Sequence, residues 1–173
     1  MNPWLTLTLT LLLAGCGAAT PRPTPEEALL DEARAALQRG DDAKAREIWQ
    51  PLAEAGNGEA QNNLGLLFDQ RQDYAKALQW YEKAAAQGRA SAQFNLGVYY
   101  ENGRGVPRDE AKAREFYEQA AAQGDDSAQN NLAVLYEDGR GGPRDITKAR
   151  ELYEQAAAQG HELARKSLQR LKN

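Results

Sequence analysis

Asn95-Leu96-Gly97-Val98-Tyr99-Tyr100, then the turn Gly103-Arg104-Gly105-Val106, then Lys112-Ala113-Arg114-Glu115-Phe116-Tyr117-Glu118-Gln119-Ala120-Ala121: this stretch decides the fold. In its second half Ala113, Phe116, Tyr117, Ala120 and Ala121 fall at i, i+3, i+4, i+7 and i+8, which is one apolar stripe on an α-helix. Asp109 stands ahead of that helix, where a side-chain oxygen accepts from an orphan backbone N–H. Gly124 stands behind it, where a left-handed residue ends a helix. The first half carries Ala92, Leu96, Gly97 and Tyr100 at helical spacing, with Gly97 small enough for a neighbouring helix to approach closely.

The same pattern recurs on both sides. Gly56, Gly88, Gly124 and Gly160 are spaced by 32, 36 and 36 residues, and the same intervals relate Ala60, Ala92, Ala128 and Ala164, and Leu64, Leu96, Leu132 and Leu168. Ala77, Trp80, Tyr81, Ala84 and Ala85 fill the second-helix template before this stretch, and Ala149, Leu152, Tyr153, Ala156 and Ala157 fill it after. Asp73 and Asp145 repeat the N-cap, and Gly65 and Ala133 repeat the small residue. A fixed period between about 20 and 50 residues marks stacked supersecondary units, here helical hairpins. The alanine-rich composition, 8% aromatic residues and sparse β-branched residues agree with helices. The expected fold class is all-α, an α-solenoid of antiparallel helix pairs with a terminal capping helix.

These segments resemble the Sel-one-like repeat, a relative of the tetratricopeptide repeat. The resemblance is carried by Asn95 to Tyr100, Gly103 to Val106, Asp109, Lys112-Ala113 and Phe116 to Ala121, and again by Asn131 to Gly160. Repeats are expected at 57–88, 89–124 and 125–160, after a looser tetratricopeptide-like hairpin at 27–56. Pro51 is expected to kink or restart the second helix of that leading hairpin. A C-terminal capping helix is expected at 161–173, burying Ala164, Leu168 and Leu171 beneath a basic outer face.

The start of the chain reads as an address. Trp4 to Ala14 is apolar, interrupted only by threonines, and about half the ~20 residues a membrane-spanning helix needs. Leu13-Ala14-Gly15-Cys16 resembles the lipobox of bacterial lipoproteins, although Met1-Asn2-Pro3 supplies no Lys or Arg. The resemblance implies a signal peptide at 1–15 and lipidation of Cys16, the one cysteine of the chain. Residues 16–26 then form a lipidated, Pro-rich linker, with Pro21, Pro23 and Pro25 setting polyproline geometry and a reach of up to ~30 Å. Gly17, where inner-membrane lipoproteins carry Asp, points by the same resemblance to the periplasmic face of the outer membrane in the cell envelope.

Function classes narrow by exclusion. A net charge of −4 disfavours sequence-independent nucleic-acid binding, which needs Lys and Arg on phosphates. His161 is the one histidine, so neither the usual zinc sets nor a histidine-dependent nucleophilic triad can be assembled. No metal or cofactor is expected, and no enzyme activity. The Gly-Arg-Gly turns at 103–105 and 139–141 lack the strand and Gly-Lys-Ser/Thr context of a nucleotide site and read as inter-helix turns.

Surface recognition of a protein or peptide partner remains. By resemblance to tetratricopeptide folds, the first helices line a concave groove with Asn62, Leu66 and Asp69, then Phe94, Val98 and Glu101, then Asn130, Val134 and Glu137. Leu66, Phe94, Val98 and Val134 would bury partner side chains, and Asn63, Asn95 and Asn131 would bond its backbone. The same asparagines can equally serve to pack helices. Asp69, Glu101, Glu137 and Asp138 would favour a basic ligand. The leading expectation is a lipid-anchored envelope scaffold or adaptor. The alternatives are an envelope enzyme or ligand-binding protein acting on peptidoglycan or β-lactams, or a periplasmic immunity protein neutralising a toxin. Cysteine-rich relatives of this repeat have been linked to β-lactams, but their paired cysteines are absent here.

Overall fold

The computed structural model describes residues 23–171. The leader, Cys16 and the linker as far as residue 22 lie outside the described residues, as do Lys172 and Asn173. Nine helices follow one another among the described residues: α1 (Pro25–Gln38), α2 (Asp42–Glu54), α3 (Gly58–Gln70), α4 (Tyr74–Ala85), α5 (Ala90–Asn102), α6 (Glu110–Ala122), α7 (Asp126–Asp138), α8 (Ile146–Ala158) and α9 (Glu162–Arg170). Each packs chiefly against its neighbours in chain order, which makes an all-α solenoid. None is long and apolar enough to cross a membrane.

Local chemistry sets the ends of these helices. Asp73, Asp109 and Asp145 cap α4, α6 and α8 by accepting from the backbone N–H of Lys76, Lys112 and Lys148. Thr24 and Glu27 form a reciprocal capping box at α1. At the C-terminal ends of α6 and α8, the N–H groups of Asp125 and His161 reach back to the carbonyls of Ala120 and Ala156. Pro51 neither breaks nor restarts α2, which runs on to Glu54. The one backbone bond it forgoes would have ended on the carbonyl of Glu47, an exposed residue that water can serve.

The repeated columns are the core. Ala60, Ala92, Ala128 and Ala164 are fully buried, as are Ala77, Ala113 and Ala149. Tyr81, Tyr117 and Tyr153 from the second helices are buried, and the first two rings fill the space beside Gly65 and Gly97. A Cβ on Gly97 would stand 2.5 Å from the Tyr117 ring, so the ring occupies the space a side chain would take. The Gly-Arg-Gly turns also come up against the preceding unit, where a Cβ on Gly105 would stand 3.2 Å from the backbone of Tyr74. A Cβ on Gly141, whose φ is +68°, would fall 2.2 Å from the Glu110 carbonyl oxygen.

A buried amide column ties the helices of each unit together. Gln61, Gln93 and Gln129 are nearly inaccessible. Gln87 and Gln159 donate to Gln61 and Gln129 at 2.7 and 2.9 Å, and Gln123 donates to Gln93 at 2.6 Å. Buried amides without partners would each cost about 1–3 kcal/mol, so these pairs specify how each hairpin closes.

Candidate partner-binding face

The first-helix positions expected to line a groove divide into three kinds. Leu66 on α3 is 36% exposed. Phe94 and Val98 on α5 and Val134 on α7 are half-buried, with their inner sides packed on the core and the Phe94 ring centroid 5.8 Å from that of Tyr117. Together they leave a broken apolar strip in reach of solvent.

The asparagines turn largely inward. Asn62 and Asn130 are buried at 7% exposure, so they present little surface to a ligand. Asn95 donates to Asn62 Oδ1 at 3.3 Å, Asn131 donates to the Tyr117 hydroxyl at 3.3 Å, and Asn130 donates to Asn131 at 3.2 Å. Asn95 and Asn131 therefore stitch adjacent units together. Asn63 is half-buried on the same row.

The acidic column is occupied. Tyr99 donates to Asp69 at 2.5 Å, Tyr117 to Glu101 at 2.7 Å and Tyr153 to Glu137 at 2.9 Å. An arginine from the following unit closes on each carboxylate. Arg104 stands 3.9 Å from Asp69, Arg140 stands 3.1 Å from Glu101, and Arg170 stands 2.6 Å from Glu137. The charge expected to draw a basic ligand is thus met from within at these three positions. Asp138 remains exposed beside them.

The electrostatics follow from this geometry. The Arg170 guanidinium, bonded to Glu137, holds its carboxyl below the usual range against an opposing push from burial, and the Tyr153 hydroxyl helps. Burial raises the phenols of Tyr99 and Tyr117, and their bonds to Asp69 and Glu101 raise them further. Tyr153 is pushed up to about 12 by burial and by Glu137. Arg140 also binds Glu110 at 2.9 Å, so one guanidinium joins two acids of the preceding unit.

Among the described residues no group of three or more His, Cys, Asp or Glu side chains converges to hold a metal ion. His161 serves as the N-cap of α9, its Nδ1 accepting from the Ala164 N–H at 3.3 Å. The acid–tyrosine–arginine clusters and the glutamine pairs escaped the reading of the sequence. The glutamines kept the same 32- and 36-residue intervals and were legible as a column, whereas the arginine partners come from loops and from α9.

Antiparallel helix pairs stacked in chain order define a helical repeat scaffold. The Sel1 repeat model matches residues 58–88, 90–125 and 126–161. The chain belongs to the Sel1 repeat family. It is similar to c5321, a protective antigen of uropathogenic Escherichia coli with an SLR fold, at 37% identity and TM-score 0.76, covering 80% of this chain and 32% of that one. It is similar to a Sel1 repeat protein from Oxalobacter formigenes at 29% identity and TM-score 0.74, covering 81% of this chain and 57% of the other. Helicobacter pylori cysteine rich protein B matches at 25% identity and TM-score 0.57, with 84% of this chain and 98% of that protein covered. This chain therefore spans about a third and somewhat over half of the first two proteins. No curated protein matches it. Sel1 repeat proteins generally mediate protein–protein interaction, and their scaffolds are typically non-enzymatic.

Proposed function

We propose that this chain is a lipid-anchored scaffold or adaptor of the cell envelope, tethered through Cys16 and holding a protein partner on its first-helix face. The observation that carries the reading is the apolar strip of Leu66, Phe94, Val98 and Val134, spread over α3, α5 and α7, with Leu66 exposed and the other three seated on the core. A surface held in place by buried columns loses little entropy on binding. Because Asp69, Glu101 and Glu137 are already paired, the partner is recognised by apolar side chains more than by basic charge. The envelope setting is supported by the Leu13-Ala14-Gly15-Cys16 tetrad, which resembles a lipobox.

Two experiments test the two halves. A photo-crosslinking residue at position 66 in native membranes should capture a protein, and Phe94→Ala should reduce that capture while leaving helicity intact. Undiminished capture by Phe94→Ala removes the first-helix face from the proposal. An alkyne-palmitate label should enter the protein and be lost in Cys16→Ser, and an unlabelled native protein ends the anchor reading.

A further inference from the structure

The second-helix column reads Trp80, Phe116, Leu152, and the last step of that series changes the surface. In the groove between α4 and α6, floored by α5, the half-buried Phe116 ring packs against the buried cluster of Ala77, Tyr81, Leu96 and Tyr99. It stacks on Tyr100 with centroids 5.6 Å apart and an interplanar angle of 12°. Lys112 adds its ammonium 5.1 Å from the Tyr100 centroid. The equivalent groove between α6 and α8, floored by α7, keeps Ala121, Leu132, Tyr136 and Lys148 but has Leu152 in place of the phenyl ring. There the structure has a cavity of about 390 Å³, lined by these residues with Glu118 and Gln155 at its edge.

Tyr136 thus stands where Tyr100 stands, without the ring that Tyr100 stacks upon. Arg114 lies on Tyr136 at 3.6 Å from its centroid, and the Tyr136 hydroxyl donates to Glu118 at 3.0 Å. These contacts fix the plane of the ring and occupy Glu118, which Arg114 also approaches at 3.3 Å. Across the mouth, Lys148 meets the exposed Glu151 one helical turn away at 3.6 Å, a contact worth little in water. The cavity volume lies within the range of sites that take small ligands, and its lining mixes apolar walls with a few polar groups.

We infer that this groove is a second recognition site, on the opposite side of α7 from the Val134 strip, which takes an aromatic side chain of a protein partner with an acidic residue beside it. The ring completes the stack on Tyr136 that Phe116 makes on Tyr100 one unit earlier. The partner's carboxylate displaces the exposed Glu151 from Lys148. Offset-stacked aromatic pairs gain free energy beyond their buried area. The inference is independent of the first-helix face, because none of the groove residues belongs to that strip.

The test uses the full chain in detergent micelles and three capped dipeptides as probes: acetyl-Glu-Phe-amide, acetyl-Glu-Leu-amide and acetyl-Lys-Phe-amide. Methyl resonances of Ala121, Leu132 and Leu152 report occupancy. The Glu-Phe probe should shift them with an affinity at least tenfold above the Glu-Leu probe and several-fold above the Lys-Phe probe. Lys148→Glu should reverse the preference between Glu-Phe and Lys-Phe. Leu152→Phe should abolish binding while raising Tm, since it fills the cavity as Phe116 does. Should Leu152→Phe fail to fold, Tyr136→Leu provides the alternative, with loss of the phenyl preference expected. Equal shifts from the Phe and Leu probes, no shift from any probe, or unchanged binding to a folded Leu152→Phe would overturn the inference.

Discussion

At the residue scale, the N-cap column exposes one unmet need. Asn57, Asp125 and His161 cap α3, α7 and α9 with side-chain acceptors, but Arg89 before α5 makes no such bond. Its guanidinium instead stands 3.6 Å from the half-buried Glu59, with its own side chain exposed. A cap contributes about 1 kcal/mol, and an exposed ion pair ~0.2–1 kcal/mol. Arg89→Asn is therefore expected to raise the urea midpoint slightly, checked by chemical denaturation with an unchanged m-value. Glu137 gives a second expectation, with its sign fixed by linkage. Arg170 depresses its folded pKa below the ordinary 4.5, so its contribution is complete above that pH and is lost as pH falls through the folded value. Stability measured between pH 6 and pH 2 should fall less steeply in Glu137→Gln than in the parent, with the two curves parallel above about pH 5.

At the scale of elements, the Gly-Arg-Gly turn is a clasp. Its glycine admits the turn against the start of the preceding second helix, and its arginine reaches back to that unit's acids. Arg140 bonds both Glu101 and Glu110 and is only 28% exposed, whereas Arg170 meets Glu137 alone and is 62% exposed. Hydrogen bonds to charged groups contribute about 1.5–3 kcal/mol where water is largely excluded. Arg140→Met is expected to cost about that much, and Arg170→Met to lower stability as well, because it takes both prongs away from the buried Glu137 carboxylate. Thermal denaturation of the two variants side by side checks both losses. The helix α9 repeats the first-helix pattern, burying Ala164 and supplying Arg170 where earlier units use a loop arginine. This explains why the terminal element was legible as a helix while its ionic role was not.

At the scale of the whole molecule, stability is passed between neighbours. With packing confined chiefly to successive helices, each interior unit is held on both sides and the two outermost described helices on one. Native-state hydrogen exchange should therefore show least protection in α1 and α9 and most in α5 to α8, where Tyr99, Tyr117 and Leu135 are buried. Uniform protection along the chain would contradict this view. The glutamine column belongs to the same scale. Gln61, Gln93 and Gln129 were visible as a repeating letter, but a polar letter in a column carries no sign of whether it faces water or a partner amide.

The amino-acid sequence by itself determined the helices, their caps and their pairing. Apolar periodicity, Asp before each second helix and Gly after it are local signals, acting within one turn of the chain. Only the tertiary structure decided which charges and cavities the surface offers. Glu110 and Arg140 lie 30 positions apart and meet because stacked units bring a loop against a helix end. The groove beside Tyr136 opens for the same reason. Leu152 is an ordinary core letter in its own helix, and its missing ring becomes a cavity only where three helices converge.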